Sequence, residues 1–376
     1  MKVLHLRVDD LEVNFKAGIN YVVGANATGK STLFNCLRYA LGLIGSLRFT
    51  YFKQVEVVVE FAGEAFCFKR FSEDVSLAVW AQGEGSGPVF YRARSIELND
   101  FFIEKLSFSY LFDARSRSAF EILDFGFLSE SGSLNGRQHW GALCAVCGVD
   151  NAFLEDFDKE ISKLKSSVRK NNELQAAVES FSGVLVGMSQ GQDFYEKLEG
   201  LVDRSKVEFF KEFRAAEKLF SDASLKYEEG KLRVESYMLE RIGLIDKALA
   251  DLIAQEDLSA LHFDGVQSLV RGSPSMLRSQ GEEVFLRFLL VVTVMSLPRS
   301  SGYNFSGLIL NDGFLRPYLD NRKISSAERM LEKVLVGRDD IQYIEFTCNE
   351  NVPKEKVVLN FNERLRGSGI KGLGWF

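Results

Sequence analysis

A chain that reads G-x-x-x-x-G-K-[ST] must fold as a strand, a tight glycine turn and a helix. The turn's backbone N–H groups have to crowd around phosphate oxygens while a helix begins beneath them. Residues 24–32, GANATGKST, meet this pattern without a mismatch. Their flanks agree with it. Residues 18–23 (GINYVV) form a short apolar run suited to a buried strand, and residues 31–43 (STLFNCLRYALGL) carry apolar side chains at helical spacing. Gly24 and Gly29 leave room for close backbone approach. In such a loop Lys30 reaches the outer phosphates, Ser31 ligates Mg2+ and Thr32 bonds the inner phosphate.

The 376 residues are enough for about two to three domains with a substantial core. Met1 leads directly into an alternating strand and no apolar run is long enough to span a bilayer, so a cytoplasmic chain without a membrane partner is expected. The five cysteines are scattered, which speaks against a disulfide framework. Cys144 and Cys147 form a C-x-x-C, the half-site of a zinc hook shared between two chains. However, the surrounding residues 140–149 (WGALCAVCGV) are apolar at the spacing of a buried helix, and that reading is preferred. The net charge of −6 argues against a strongly basic nucleic-acid footprint.

Before the loop, residues 3–8 and 11–15 alternate as strands do. After it, residues 55–61 and 65–71 predict a β-hairpin closed by Gly63 and Glu64. From residue 151 the texture changes. Leu154, Phe157, Ile161, Leu164 and Val168 recur at spacings of three and four, and a glycine-bearing stretch at 182–191 interrupts the run. Phe209, Phe213, Ala216, Phe220, Ala223 and Tyr227 then resume it, and Ile242, Ile245, Leu249 and Leu252 complete it. No proline stands between Pro88 and Pro274 to break the helices. The expected organisation is a first lobe over 1–150, an antiparallel helical hairpin over 151–256 and a second lobe over 257–376. The insertion holds 16 basic and 21 acidic side chains, so most of the net charge lies on it.

In the second lobe, SQGEE at 279–283 opens a long apolar helix and by itself describes a well-capped helix start. Residues 306–310 (SGLIL) predict a buried strand ending in Asn311 and Asp312, and an acid at the tip of an apolar strand is the usual second Mg2+ partner of a phosphate loop. Leu319-Asp320, a helix over 326–335, and strands over 341–347 and 356–361 follow.

In that order, these motifs resemble the SMC/RecF/RecN branch of the ABC ATPases over nearly the whole chain. The resemblance implies an α/β fold: a P-loop ABC-type ATPase head of two lobes with an inserted antiparallel coiled-coil hairpin. Gly24, Asn26, Gly29, Lys30, Ser31 and Thr32 match its phosphate loop. Ser279, Gly281 and Glu282 match its signature motif, with Gln280 where glycine is usual, and Asp320 matches its D-loop acid. By this resemblance ATP and Mg2+ are the cofactors, and two heads close on two ATP molecules, with Ser279 and Gly281 of one head meeting the phosphate held by Lys30 of the other. Lys30 and Asp312 are the implied catalytic residues, and Ser31 and Asp312 the implied metal ligands.

Three departures stand out. Where the family ends the strand with Asp-Glu, this chain has Asn311-Asp312-Gly313. Either Asp312 is the Mg2+ ligand and the general base is missing, or Asp312 takes the base position and Asn311 becomes the ligand; the first reading is favoured. Cys348 or Asn349 stands at the family's switch histidine. Gln54, Gln82 and Gln138 are each weak matches to its Q-loop glutamine. Slow or partner-dependent turnover is therefore expected.

The resulting function is an ATP-gated dimerising switch in DNA repair or defence against foreign DNA, acting on a separate effector because no nuclease constellation surrounds His5, His139 or His262. The alternative is an ATP-binding scaffold with little hydrolysis that assembles partners through its arm. A transporter ATPase would need membrane segments, and a small-molecule kinase has no use for the motif at 279–282. DNA contact would fall to Lys163, Lys165, Arg169 and Lys170 as a phosphate-tracking stripe, although a solvated helix face explains the same residues.

Overall fold

The computed structural model describes residues 1–47, 52–72, 74–83, 87–111, 118–129, 136–149, isolated helical positions between 159 and 176, and then 192–256, 258, 261–271, 279–298, 301–313 and 321–363. It divides into two compact units, one of residues Met1–Asn151 with Met238–Phe376 and one of Ala152–Tyr237.

The first unit is built on two sheets. Alternating sequences make the first sheet: β1 (Lys2–Val8), β2 (Leu11–Asn14), β4 (Gln54–Phe61), β5 (Glu64–Phe71), β6 (Ser76–Ala81) and β7 (Val89–Arg92), hydrogen-bonded in the order β2-β1-β4-β5-β6-β7. Every pairing in it is antiparallel. The β4–β5 hairpin turns one residue earlier than its sequence suggests. Phe61 pairs with Glu64, and the two loop residues are Ala62 and Gly63, at φ 50° and 92°. A two-residue hairpin loop of this type needs positive φ at both positions, and that outweighs alanine's reluctance to adopt it. Glu64 thus becomes the first residue of β5.

The second sheet is parallel throughout. β3 (Gly18–Val23), β8 (Phe127–Ser129), β9 (Leu308–Asp312), β10 (Gln342–Thr347) and β11 (Val357–Asn360) lie in the order β11-β3-β10-β9-β8. All six residues of β10 are buried, as a strand covered on both faces requires. α1 (Lys30–Ala40) covers one face, where Phe34 packs edge-on against Phe127 and Phe346. On the other face Tyr21, Tyr343 and Glu345 line a small cavity with Phe288, Ile324, Ala327 and Leu331. Phe288 belongs to α7 (Gln280–Ser296), and the other three belong to α8 (Asn321–Leu335).

Two polar side chains lock these layers. Arg70 on β5 is fully buried, lies 3.8 Å over the Tyr39 ring, and donates to the carbonyls of Tyr39, Ile44, Gly45, Asp74 and Val75. It thereby holds the C-terminal end of α1, whose last carbonyls have no partner within the helix. Gln342 on β10 donates to Val3 O and Lys16 O at 2.9 Å and accepts from Val3 N at 2.8 Å, joining the two sheets.

Three shorter helices complete the first part of the chain: α2 (Ile96–Leu106), α3 (Ser118–Phe125) and α4 (Gly136–Val146). Cys144 and Cys147 are buried where the sequence places an apolar helix, and burial pushes the Cys147 thiol up to about 12, which disfavours a thiolate ligand. α5 (Gln192–Gln255) runs for 64 residues, and Met238, Ile242, Ile245, Leu249 and Ile253 bury its last turns in the first unit. α6 (Val266–Arg271) leads towards α7.

Most of the expected first arm, with the glycine stretch at 182–191, lies outside the described residues. Lys163, Lys165, Arg169 and Lys170 are exposed on helical backbone, and Arg169 pairs with Glu173 at 3.1 Å. At about 100° per residue, Lys163 and Lys170 fall on one side of a helix and Lys165 and Arg169 on the other, so the four do not share a single stripe.

Candidate functional site

The parallel sheet brings the phosphate loop and the strand-tip acid together. β3 ends at Val23 and β9 at Asp312, with only β10 between them. Two strand spacings are about 10 Å, and α1 packs against both β10 and β9. Ser31 Oγ donates to Asp312 Oδ1 at 3.0 Å.

Strand alternation decides between the two residues at the tip of β9. Successive side chains on a strand point to opposite faces. Asn311 is buried and donates to the Tyr343 hydroxyl at 2.7 Å, and Tyr343 in turn donates to Glu345 Oε2 at 2.9 Å. This chain lies on the α7 and α8 face. Asp312 therefore points to the α1 face, where Ser31 stands. Asn311 thus faces away from the phosphate loop, Asp312 is the carboxylate on the phosphate-loop side, and Gly313 follows it. Sequence reading passed over Tyr343 and Glu345. The available signal was a lone carboxylate inside a fully buried parallel strand.

The loop itself is tightly built. Gly29 caps α1 at φ 96°, and Ala27 is at φ 64°. A Cβ on Gly24 would lie 2.5 Å from Thr28 Oγ1 and 2.9 Å from Phe361 Cβ, so only glycine fits there. Thr28 Oγ1 donates to Ala25 O at 2.9 Å. Lys30 Nζ donates to Gly24 O at 2.8 Å and to Ala25 O at 2.7 Å. Burial lowers the Lys30 pKa, while Cys348 and Asp312 pull it back up. Cys348 is exposed and directly follows β10, and it or Asn349 stands where the resemblance expects a histidine. Asn26 and Ser31 are exposed and Thr32 is half-buried.

Ser279 is exposed and caps α7. Its N–H and Oγ both donate to Glu282 Oε2, at 2.7 and 2.9 Å, and its Oγ accepts from Glu282 N at 3.3 Å, a reciprocal capping box. The hydrogen bonds from Ser279 hold the Glu282 carboxyl below its ordinary pKa, with Lys323 and His262 nearby adding to the effect. Gly281 lies in the first turn. Asp320 lies outside the described residues. Gln54 opens β4 in the antiparallel sheet, Gln82 is in the turn that follows β6, and Gln138 sits in the first turn of α4.

These donors suit a metal nucleotide. Ser31 Oγ and Asp312 Oδ1 are hard oxygens already within hydrogen-bond distance, the kind of pair that Mg2+ accepts. Lys30 and the N-terminus of α1, with no acidic residue in its first turn, suit a phosphate chain.

The profile of an AAA-domain family, AAA_23, matches residues 5–236. The chain belongs to this AAA-domain family. This AAA-domain chain also aligns over 93% of its length, and over 90% of the other chain, with an Smc head domain carrying an extended coiled coil and bound to the C-terminal domain of ScpA, from Pyrococcus furiosus, at 12% identity and a TM-score of 0.50. That likeness shows the fold of an SMC head. An Smc head domain with a coiled coil and joint from Pyrococcus yayanosii aligns over 92% of both chains at 11% identity and a TM-score of 0.41. The recombination mediator protein RecF with ATP, of the RecFOR pathway, aligns over 93% of both chains at 14% identity and a TM-score of 0.40. No curated protein matches the AAA-domain chain. Among its described residues no helix is long and apolar enough to cross a membrane.

Proposed function

We propose that this protein binds Mg-ATP in the cradle of Gly24, Asn26, Gly29, Lys30, Ser31 and Thr32, with Ser31 and Asp312 holding the metal, and that two heads close on the nucleotide. Ser279, Gly281 and Glu282 of one head, with Asp320, complete the site of the other. The cycle of closing and opening acts as a switch in DNA repair or in defence against foreign DNA, passed through the helical insertion to a separate effector protein. The observation that carries this reading is the 3.0 Å bond between Ser31 and Asp312, two residues 281 positions apart that a phosphate loop needs side by side. The exposed Ser279 supports it, since a partner head has access to that helix start.

Sizing by light scattering with and without ATP and Mg2+ tests the reading. The wild-type chain should double in mass with nucleotide, and Lys30→Ala and Ser279→Arg should each abolish the change. A wild-type mass independent of nucleotide defeats it.

A second reading, an ATP-held scaffold that scarcely hydrolyses, is favoured by Gly313 standing after Asp312, where the resemblance expects a glutamate. Phosphate release during a single turnover separates the two. Nucleotide-dependent dimers with release no faster than in Asp312→Ala select the scaffold.

A further inference from the structure

The peptide unit joining Gly24 to Ala25 opens the phosphate loop, and both of its polar groups are taken. Its carbonyl accepts from Lys30 Nζ at 2.8 Å, and its N–H donates to Asn362 Oδ1 at 2.9 Å. Asn362 lies just beyond β11, 337 positions from Ala25. Its own N–H donates to Asn360 Oδ1 at 3.0 Å, and the preceding Phe361 is buried against Gly24. Its Nδ2 donates to Glu350 Oε1 at 2.7 Å. Glu350 sits three residues past the end of β10, in the same short loop as Cys348.

An asparagine amide can face either way, and its surroundings select the orientation. Here one neighbour is an N–H, which needs an oxygen, and the other is a carboxylate, which needs a donor. Only one orientation satisfies both. The result is a chain from Glu350 through Asn362 to Ala25 that ties the loop after β10 to the first peptide of the phosphate loop.

We propose that Asn362 is a positioning residue for the phosphate loop and that Glu350 sets the orientation of the Asn362 amide. The consequence rests on the nucleotide reading above. Lys30 Nζ carries three hydrogens, two of them on Gly24 O and Ala25 O, and movement of the ammonium towards an anion weakens its hold on Gly24 O. Asn362 then keeps the Gly24–Ala25 peptide from rotating and turning its carbonyl oxygen towards the negative charge.

Two measurements test this. The first is amide hydrogen exchange of Ala25 in the nucleotide-free protein, which should quicken about tenfold in Asn362→Ala, the loss expected of one neutral hydrogen bond. The second is the affinity for a non-hydrolysable ATP analogue with Mg2+, with melting temperature as the check on folding. Asn362→Ala should weaken the analogue about tenfold with little change in melting. Asn362→Asp keeps the acceptor for Ala25 but sets two carboxylates face to face, and should be at least as weak. The double variant Asn362→Asp with Glu350→Gln restores a donor opposite an acceptor, and should return to within about threefold of wild type, a rescue that general destabilisation does not give.

Unchanged Ala25 exchange in Asn362→Ala, or a double variant no better than Asn362→Asp, overturns this inference alone, provided that the wild type binds the analogue and Lys30→Ala does not. A wild-type chain that fails to bind it overturns the nucleotide reading and the positioning role together.

Discussion

His139 shows how a single half-buried side chain sets an acid limit for this protein. It lies in α4, and burial, aided by the nearby positive charge of Arg287, pushes its pKa down from 6.5 to about 3. The folded state therefore binds this proton less readily than the unfolded chain does. The stability that a neutral His139 contributes is complete above pH 6.5 and is lost as pH falls from there towards 3, by about 1.4 kcal/mol per pH unit. Glu282 acts in a different window. Its depressed carboxyl contributes above its ordinary value of 4.5 and loses that contribution only below it. Between pH 6.5 and 5, denaturant unfolding should therefore show a steeper fall in stability for the wild type than for His139→Gln, and equal slopes would show that His139 is not held neutral. At this scale the sequence was legible where chemistry repeats a motif and silent where contacts decide. Lys30, Ser31 and Asp312 could be read from their pattern. Asp312 was favoured over Asn311 by resemblance alone, because which face of β9 meets α1 leaves no local trace. Asn362 carried no local signal at all, since what gives it a role is Ala25, far away in the chain.

At the level of elements, hydrophobic alternation and apolar runs placed β1 to β5 and β9 to β11, because burial on one face or on both leaves a direct trace in the sequence, whereas β6, β7 and the three-residue β8 were not read from it. Turn positions were less legible, as Ala62 shows by taking a left-handed conformation that its residue type does not advertise. Contacts between sheets were invisible. Gln342 reads as an ordinary polar interruption in an apolar strand, yet its amide satisfies backbone groups of β1 and of the segment leading to β3. Replacing it with Leu keeps the volume but removes all three hydrogen bonds and leaves Val3 N–H without this acceptor in a buried setting. The expected cost is on the order of 3 kcal/mol, measured as a shift in the urea midpoint at unchanged slope. A loss below about 0.5 kcal/mol would mean that water replaces the amide, and that the two sheets are held by apolar packing alone.

For the molecule as a whole, the parallel sheet explains why the phosphate loop and its acid need opposite ends of the chain. β3 and β8 come from the residues before the insertion, and β9, β10 and β11 from those after it. Among the described residues, in the order β11-β3-β10-β9-β8, β3 has only later strands as neighbours, and β8 pairs only with β9. The motif order along the sequence implied that these segments meet, but strand order depends on long-range pairing, which periodicity does not encode. A chain of residues 1–151 still holds all six strands of the antiparallel sheet. It leaves β3 and β8 without a single backbone partner and exposes the face of α1 on which Phe34 meets Phe346. Such a fragment should bind a hydrophobic dye and unfold without a cooperative transition, since unpaired buried strands cost more than the remaining sheet can offset. A second chain of residues 238–376 supplies the three missing strands. Mixing the two should suppress dye binding, restore a cooperative melt and, if the Ser31–Asp312 pair is the functional centre, restore nucleotide binding as well. A cooperative melt from residues 1–151 alone would make them an independent domain, and the pairing of β3 with β10 would then be a docking contact instead of the core of a single fold.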